Sequence, residues 1–551
     1  MNDRLMRRLL GWGQLKGRFT HGFRMIAVAC AILLSGLAVA ETRQKPLKVY
    51  ILAGQSNMVG MADKRTLEHI KLLPESAKEL QELFDEKGQP VELDDVWVVF
   101  DEHKGKLAPC FGSPLKGPKI GTEYAFGIYM HKALKEPILL IKTAWGGKSL
   151  CNDFRPPSAG EWVPPPGHPD LIKKATQELE KLPIPEKLDL PDNYVPGEDI
   201  IPKYAKRVGD FLGIRPMRGV ALDEVNGVYP IYIASEPGVE LKGSPFQKGD
   251  LIIGLNGQGL REDPISQWRQ EFYGEKSKDW LLRVTRWRKG KIETFDFDLS
   301  YSLKDGRAGI ETAKEEAKAN AAKSQEEGKE NKGLYYRMMI EQVKKVLGDI
   351  KSVYPAYDPK QGYELAGFVW LQGWNDMVDV YTYPNRDKPG GYDQYSWLLR
   401  YFIKDVRKDL NAPALPFVIG AMGVGGYEEP PKTRLGNFQQ AMAAPATDPE
   451  FKGTVATVQM GKYWDKQLAE LIDRNTEVSK KKIELETEKG LKGQDLEKAY
   501  AEYRAQKFTP LEEEILKKGP SNKGFHYLGS GKIMSGIGKG FSEAMLELQK
   551  K

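Results

Sequence analysis

Cysteine is scarce in this 551-residue chain: Cys30, Cys110 and Cys151 are the full set. That excludes a disulfide scaffold and leaves Cys110 and Cys151 either joined or as a free buried pair. Phosphate-cradling glycine loops are missing. No segment has dinucleotide-binding or P-loop spacing after a strand, which argues against a nucleotide or hydride-transfer enzyme. No recognisable protease block occurs. The apolar run from Met25 to Leu37 is too short to span a bilayer, so no stable membrane anchor is expected. An excess of one charge is lacking as well. The net +6 comes mostly from Arg4, Arg7, Arg8, Lys16, Arg18 and Arg24. Without these and Asp3, Lys and Arg fall from 82 to 76, Asp and Glu from 76 to 75, and the net charge is +1. A global basic field for nucleic acid is thereby excluded.

The same basic residues precede the Met25–Leu37 run, which ends in Ala38-Val39-Ala40, a small-residue cleavage pattern. Residues 1–40 therefore read as a secretory signal peptide, and the protein is expected to be periplasmic or secreted. The remaining composition is ordinary for a globular protein with ample material for a core. The length allows about two to four domains.

Apolar runs bounded by turn residues recur along the chain. Lys48–Ala53 ends abruptly in Gly54-Gln55-Ser56-Asn57. Pro137–Lys142 leads to Trp145-Gly146-Gly147-Lys148-Ser149, and Leu365–Leu371 leads to Gln372-Gly373-Trp374-Asn375-Asp376. Each reads as a buried strand. Val96–Phe100, Phe417–Ala421 and Thr454–Val458 read likewise, and helical spacing appears over 123–134, 334–350 and 530–548. The alternation predicts an α/β fold with a parallel sheet. It is interrupted. Residues 151–203 are Pro-rich and read as a surface connection. Residues 204–303 read as a separate, mostly-β module. Residues 311–333 are charged and Ala-rich, a linker or solvated helix, and 465–518 is a highly charged helical insertion, read as a solvated hairpin. The expected map is a leader at 1–40, a main domain in two parts at 41–203 and 304–551, and the module between them.

In such a sheet the polar strand tips converge at the carboxyl edge. Ser56, just past the first strand, can serve there as a nucleophile or only cap a helix. The glycine pair Gly146-Gly147 and the Gln372 amide would supply donors for an oxyanion. A base is also needed. After the leader the histidines are His69, His103, His131, His168 and His526. His131 lies in a helical segment, His69 and His103 in charged contexts, and His168 in a Pro-rich loop. His526 stands in the polar loop Gly524–Gly529 before the last helix, where it can reach the sheet edge.

Four blocks in order carry a resemblance: Gly54-Gln55-Ser56-Asn57-Met58, Ala144-Trp145-Gly146-Gly147-Lys148-Ser149-Leu150, Trp370-Leu371-Gln372-Gly373-Trp374-Asn375-Asp376, and His526. Over about 45–150 and 334–548 the chain resembles the sialate O-acetylesterase branch of the SGNH hydrolases, which includes carbohydrate esterase family 6. The resemblance implies a flavodoxin-like three-layer α/β/α fold and removal of O-acetyl groups from carbohydrates without metal or cofactor. It implies Ser56 as nucleophile and His526 as general base. The oxyanion hole would be the Ser56 amide, Gly146 or Gly147, and Gln372, with Asn375 a second candidate on a Gly-x-Asn-Asp reading. Gln55, Asn57, Trp145 and Trp374 are expected to meet the acetylated carbohydrate, although both tryptophans could equally be core. Many relatives place an Asp three residues before the His. That position is Lys523 here, and Asn522–Phe525 holds no carboxylate. Orienting His526 thus falls to Asp376 or to a backbone carbonyl. Gly243–Gly257 resembles a PDZ domain of the bacterial protease-associated kind, which would dock an extended peptide end or merely pack on the core. The alternative expectation is a non-catalytic binding or scaffold protein on the same fold.

Overall fold

The computed structural model describes residues 45–114, 117–161, 332–427, 433–487 and 489–550, with shorter pieces between 168 and 298. The expected leader at 1–40 and nearly all of 311–333 lie outside the described residues.

Seven strands make the main sheet: β1 (Leu47–Gly54), β2 (Leu93–Phe100), β3 (His103–Leu107), β4 (Ile138–Ala144), β5 (Tyr363–Leu371), β6 (Phe417–Ala421) and β7 (Val455–Gln459). Their order is β7-β6-β5-β1-β4-β2-β3. All neighbours are parallel except β3, which folds back antiparallel on β2. The path β4-β1-β5-β6-β7 has the 2-1-3-4-5 order of a flavodoxin-like sheet, and the β2–β3 hairpin extends it at one edge. The chain leaves β1 in opposite directions toward β4 and β5, so the switch point falls at the tip of β1.

The main helices are α1 (Ser56–Val59), α2 (Thr122–Leu134), α3 (Leu334–Gly348), α4 (Trp374–Val378), α5 (Asp393–Asp409), α6 (Arg434–Ala443), α7 (Lys466–Thr487), α8 (Gly493–Lys507), α9 (Pro510–Lys518) and α10 (Gly531–Gln549). Side chains alternate along β1, so it feeds two cores. Tyr50 and Leu52 pack with Phe126 of α2 and Ile537 and Phe541 of α10. Val49, Ile51 and Ala53 pack with Met339 of α3, Phe402 of α5 and Phe438 of α6. Helices therefore cover both faces, as a parallel sheet requires.

Two segments differ from expectation. Cys151, Phe154–Pro156 and Ala159 are buried rather than on the surface. Phe154 is fully buried, with ring centroids 5.1 Å from Trp370 and 6.4 Å from Phe402. A buried aromatic of this kind contributes about 1.5–3 kcal/mol, enough to override a Pro-rich composition. The 465–518 insertion is likewise not wholly solvated. Leu468, Leu471, Val478 and Ile515 enter the core shared by α2 and α10. Only the outer faces of α7, α8 and α9 carry the charges that dominate the sequence.

The module contributes a separate antiparallel sheet. Lys291–Asp298 pairs with Leu281–Arg288, then come Leu251–Leu255, Ile231–Ile233 and Gly219–Ala221. Residues 182–188, expected in the connection, pack here. Ile184 and Leu188 join Val228, Ile253 and Trp287, and Gly259 N–H donates to Leu182 O at 2.8 Å. Cys110 and Cys151 are both free. Burial pushes both thiols above their ordinary pKa.

Candidate active site

The site is built on the tip of β1. Gly54 passes so close to β5 that a Cβ would collide with the Leu371 carbonyl. Gln55 N–H then donates to that carbonyl at 3.1 Å. The chain turns at once into α1, whose first residue is Ser56. The leading N–H groups of a helix have no carbonyl one turn back, so the Ser56 and Asn57 amides have no acceptor within α1. The other end of α1 is held by Lys142, a charge inside β4. Its Nζ donates to Val59 O at 2.8 Å and Phe111 O at 2.6 Å, and pairs with Glu123 at 2.8 Å. Both side chains are fully buried, a pairing tolerated only because nearly every polar atom finds a partner.

His526 enters from the loop before α10. Tyr527, Leu528 and Gly529 all have positive φ. Such backbone costs about 1–3 kcal/mol per non-glycine residue and persists only where the surroundings dictate it. Here Ser521 N–H and Asn522 N–H donate to Leu528 O at 2.9 and 3.0 Å. Ser521 Oγ donates to Gly529 O at 2.7 Å, and buried Tyr527 accepts the Gly423 N–H at 2.9 Å. Asn57 Nδ2 donates to Phe525 O at 3.1 Å and ties the loop to α1.

The result is a contact between residues 470 apart in sequence: His526 Nε2 lies 3.1 Å from Ser56 Oγ. The other ring nitrogen, Nδ1, lies 3.1 Å from Asn522 Oδ1. Lys523 N–H also donates to that atom, at 2.8 Å, which identifies it as the amide oxygen. His526 Nδ1 therefore carries the proton and Nε2 is left to accept from Ser56. Burial lowers the His526 pKa from its ordinary value, which favours the neutral, basic ring.

A buried amide network lies behind Ser56. Gln55 Oε1 accepts from Gly373 N–H at 3.0 Å and lies 3.3 Å from Gln372 Nε2. Gln55 Nε2 donates to Asn375 Oδ1 at 3.1 Å. Gln372 Nε2 donates to Lys148 O at 3.0 Å and Asp376 Oδ2 at 2.7 Å, and Gln372 Oε1 accepts from Tyr395 at 3.0 Å. Asp376 further accepts from Leu150 N–H at 2.7 Å, Cys151 N–H at 3.0 Å and Tyr383 OH at 2.9 Å. Its burial pushes the carboxyl pKa up, against the pull of those donors.

These contacts correct several expectations. Asp376 does not orient His526: it is fully buried and braces the 146–151 turn against β5. Asn522 holds the ring instead, a residue missed because only carboxylates were sought at that position. Gln372 has both amide hydrogens committed internally and none left for an oxyanion. Gln55 and Asn57 are buried, and their amides donate to Asn375 Oδ1 and to Phe525 O. Trp145 packs against Tyr335 and Phe154, centroids 5.3 and 6.0 Å away. Trp374 is half-exposed, 5.8 Å from the exposed ring of Phe525, which stands 4.4 Å from His526. Gly146 and Gly147 are open where a Cβ would stand, and Gly147 takes a left-handed φ of +70°. His69, expected in a charged setting, is fully buried. His168 lies against Tyr381 O at 2.5 Å.

A solved structure of an Arabidopsis thaliana protein matches at 12% identity over 75% of this chain and 86% of that chain, with a TM-score of 0.29. None of the curated proteins matches. The family model for carbohydrate esterase, sialic acid-specific acetylesterase, matches residues 46–183 and 318–461, just over half of the chain. Ser56, Gly146, Gly147, Gln372 and Asn375 lie inside the matched segments, and Asn522 and His526 lie beyond them. The chain belongs to the carbohydrate esterase family of sialic acid-specific acetylesterases.

Proposed function

We propose that the protein is an exported carbohydrate O-acetylesterase that works through a Ser-His acyl-enzyme. The observation carrying this reading is the 3.1 Å contact between His526 Nε2 and Ser56 Oγ at the switch point of the sheet. His526 takes the Ser56 proton as Oγ attacks the acetyl carbonyl. The negative oxygen is met by the Ser56 amide, a glycine amide from Gly146-Gly147 and the Asn375 side chain. The sugar oxygen leaves with the proton held on His526. Water then gives a proton to His526, attacks the acetyl group and releases acetate, and Ser56 regains its proton. General-base help is worth about 10²–10⁴-fold, and each oxyanion donor about 10²–10³-fold. No step draws on a cofactor.

Substrate class is tested by measuring acetate released from an O-acetylated sugar beside its butyryl analogue. Preferential release of acetate supports the reading. Equal or faster butyrate release removes the acetyl assignment, and no hydrolysis of either favours the binding-protein alternative. Residues 1–40 are read as a leader, so the exported protein should begin just after Ala40. The 204–303 module is read as PDZ-like. Support comes from its antiparallel sheet, in which Lys291–Asp298 is an edge strand among the described residues, the kind of edge to which an extended peptide can add.

A further inference from the structure

We infer that Gln55 is a positioning residue that sets the polarity of the oxyanion hole by holding Asn375 with its NH2 toward the reacting oxygen. The inference rests on the esterase reading above.

Hydrogen-bond direction fixes this polarity. A side-chain amide can face either way, and its partners decide which. Gly373 N–H is a backbone donor and cannot accept. It lies 3.0 Å from one end of the Gln55 amide, which must therefore be the oxygen. The other end is then the NH2 group. It lies 3.1 Å from the Asn375 amide, which must answer with its own oxygen. That leaves Asn375 Nδ2 unpaired by any acceptor among the described residues. Asn375 is half-exposed at the second position of α4, and Gln55 immediately precedes the nucleophile in sequence. The free donor therefore stands beside the nucleophile turn. Gln372, the other amide in the cluster, is fixed the opposite way. Asp376 accepts only, so the Gln372 NH2 points inward and is spent. The same logic applies to the base, where the Lys523 N–H fixes Asn522 and so the His526 tautomer. Both catalytic polarities trace back to backbone amides, which cannot flip.

The test is a double-mutant cycle on 4-nitrophenyl acetate with the full-length mature protein, comparing Gln55→Met, Asn375→Ala and the double variant. Asn375→Ala should lower kcat by about 10²–10³-fold, the worth of one oxyanion donor. Gln55→Met should lower kcat by up to about 10²-fold with little change in KM, because Asn375 loses its orientation. The double variant should be no slower than Asn375→Ala alone. Losses that multiply, or a Gln55→Met effect confined to KM, would overturn the relay while leaving the esterase reading intact. Absence of any Ser56-dependent hydrolysis in the unmodified protein would overturn both. Should Gln55→Met fail to fold, a crystal structure of the unmodified protein phosphonylated on Ser56 decides. Asn375 Nδ2 within hydrogen-bond distance of the phosphonyl oxygen is expected; that oxygen bound by Gln372, or Asn375 turned away, refutes the inference.

Discussion

Replacing Asn522 by Asp restores a carboxylate against His526 without moving the backbone. The two atoms are already 3.1 Å apart, and Lys523 N–H already holds the acceptor in place. Two unit charges about 4 Å apart attract by about 4 kcal/mol at an effective dielectric of about 20. The loop is half-exposed, so solvent and salt remove much of this. A rise of about one to two units in the His526 pKa is a reasonable remainder, equivalent to about 1.4–2.7 kcal/mol. Two effects follow. The acid limb of kcat/KM, set by the protonation of His526, should move up by that amount, because a carboxylate favours the charged ring. In the native protein burial holds that limb below the ordinary histidine range. The plateau kcat should rise on the order of tenfold, because the imidazolium that develops as Ser56 attacks gains a counter-charge. The assay is a pH–rate profile of Asn522→Asp beside the unmodified protein. An unmoved acid limb together with an unchanged kcat would refute the claim that Asn522 orients the base.

Two further outcomes concern stability. His69 is fully buried, neither ring nitrogen has a hydrogen-bond partner among the described residues, and burial pushes its pKa down to about 4, Asp465 and Lys532 acting in opposite senses. The unfolded chain, with a histidine near 6.5, takes up the proton first. Stability from this group is complete above about pH 6.5 and is lost as pH falls toward 4, about 3 kcal/mol in all. His69→Leu should flatten that part of the slope in urea unfolding between about pH 7 and pH 4, and an unchanged slope would contradict the assignment. Asp376→Asn sets an NH2 against donors that now meet a carboxylate. It should destabilise by about 3 kcal/mol, read as a lower denaturant midpoint, and a loss under about 1 kcal/mol would show that Asp376 does not brace the turn.

The parallel sheet was legible because buried strands are short apolar runs with polar tips, and β1, β4 and β5 have both. Ser56 and the Gly146-Gly147 pair follow directly on β1 and β4, as the strand tips in the sequence indicate. What escaped reading was direction and partnership. Sequence shows that Gln55, Gln372 and Asn375 are amides, but not which end of each faces which neighbour. The choice between them as oxyanion donor depends on a backbone N–H, that of Gly373, whose position only the fold supplies. Asn522 escaped because a neutral acceptor four residues before His526 leaves no charge signature. Lys142 and Glu123 sit in the strand and helix that the pattern shows, but their meeting in the core is set by the fold. Phe154 lay in a Pro-rich stretch whose composition outweighed one aromatic in the reading but not in the packing.

The most direct measurement is hydrolysis of 4-nitrophenyl acetate by the mature protein beside Ser56→Ala and His526→Ala. A rate well above background is expected in the unmodified protein, with nearly all of it gone in both variants while their folds persist by circular dichroism. A Ser56→Ala protein that keeps most of the activity would contradict the esterase reading.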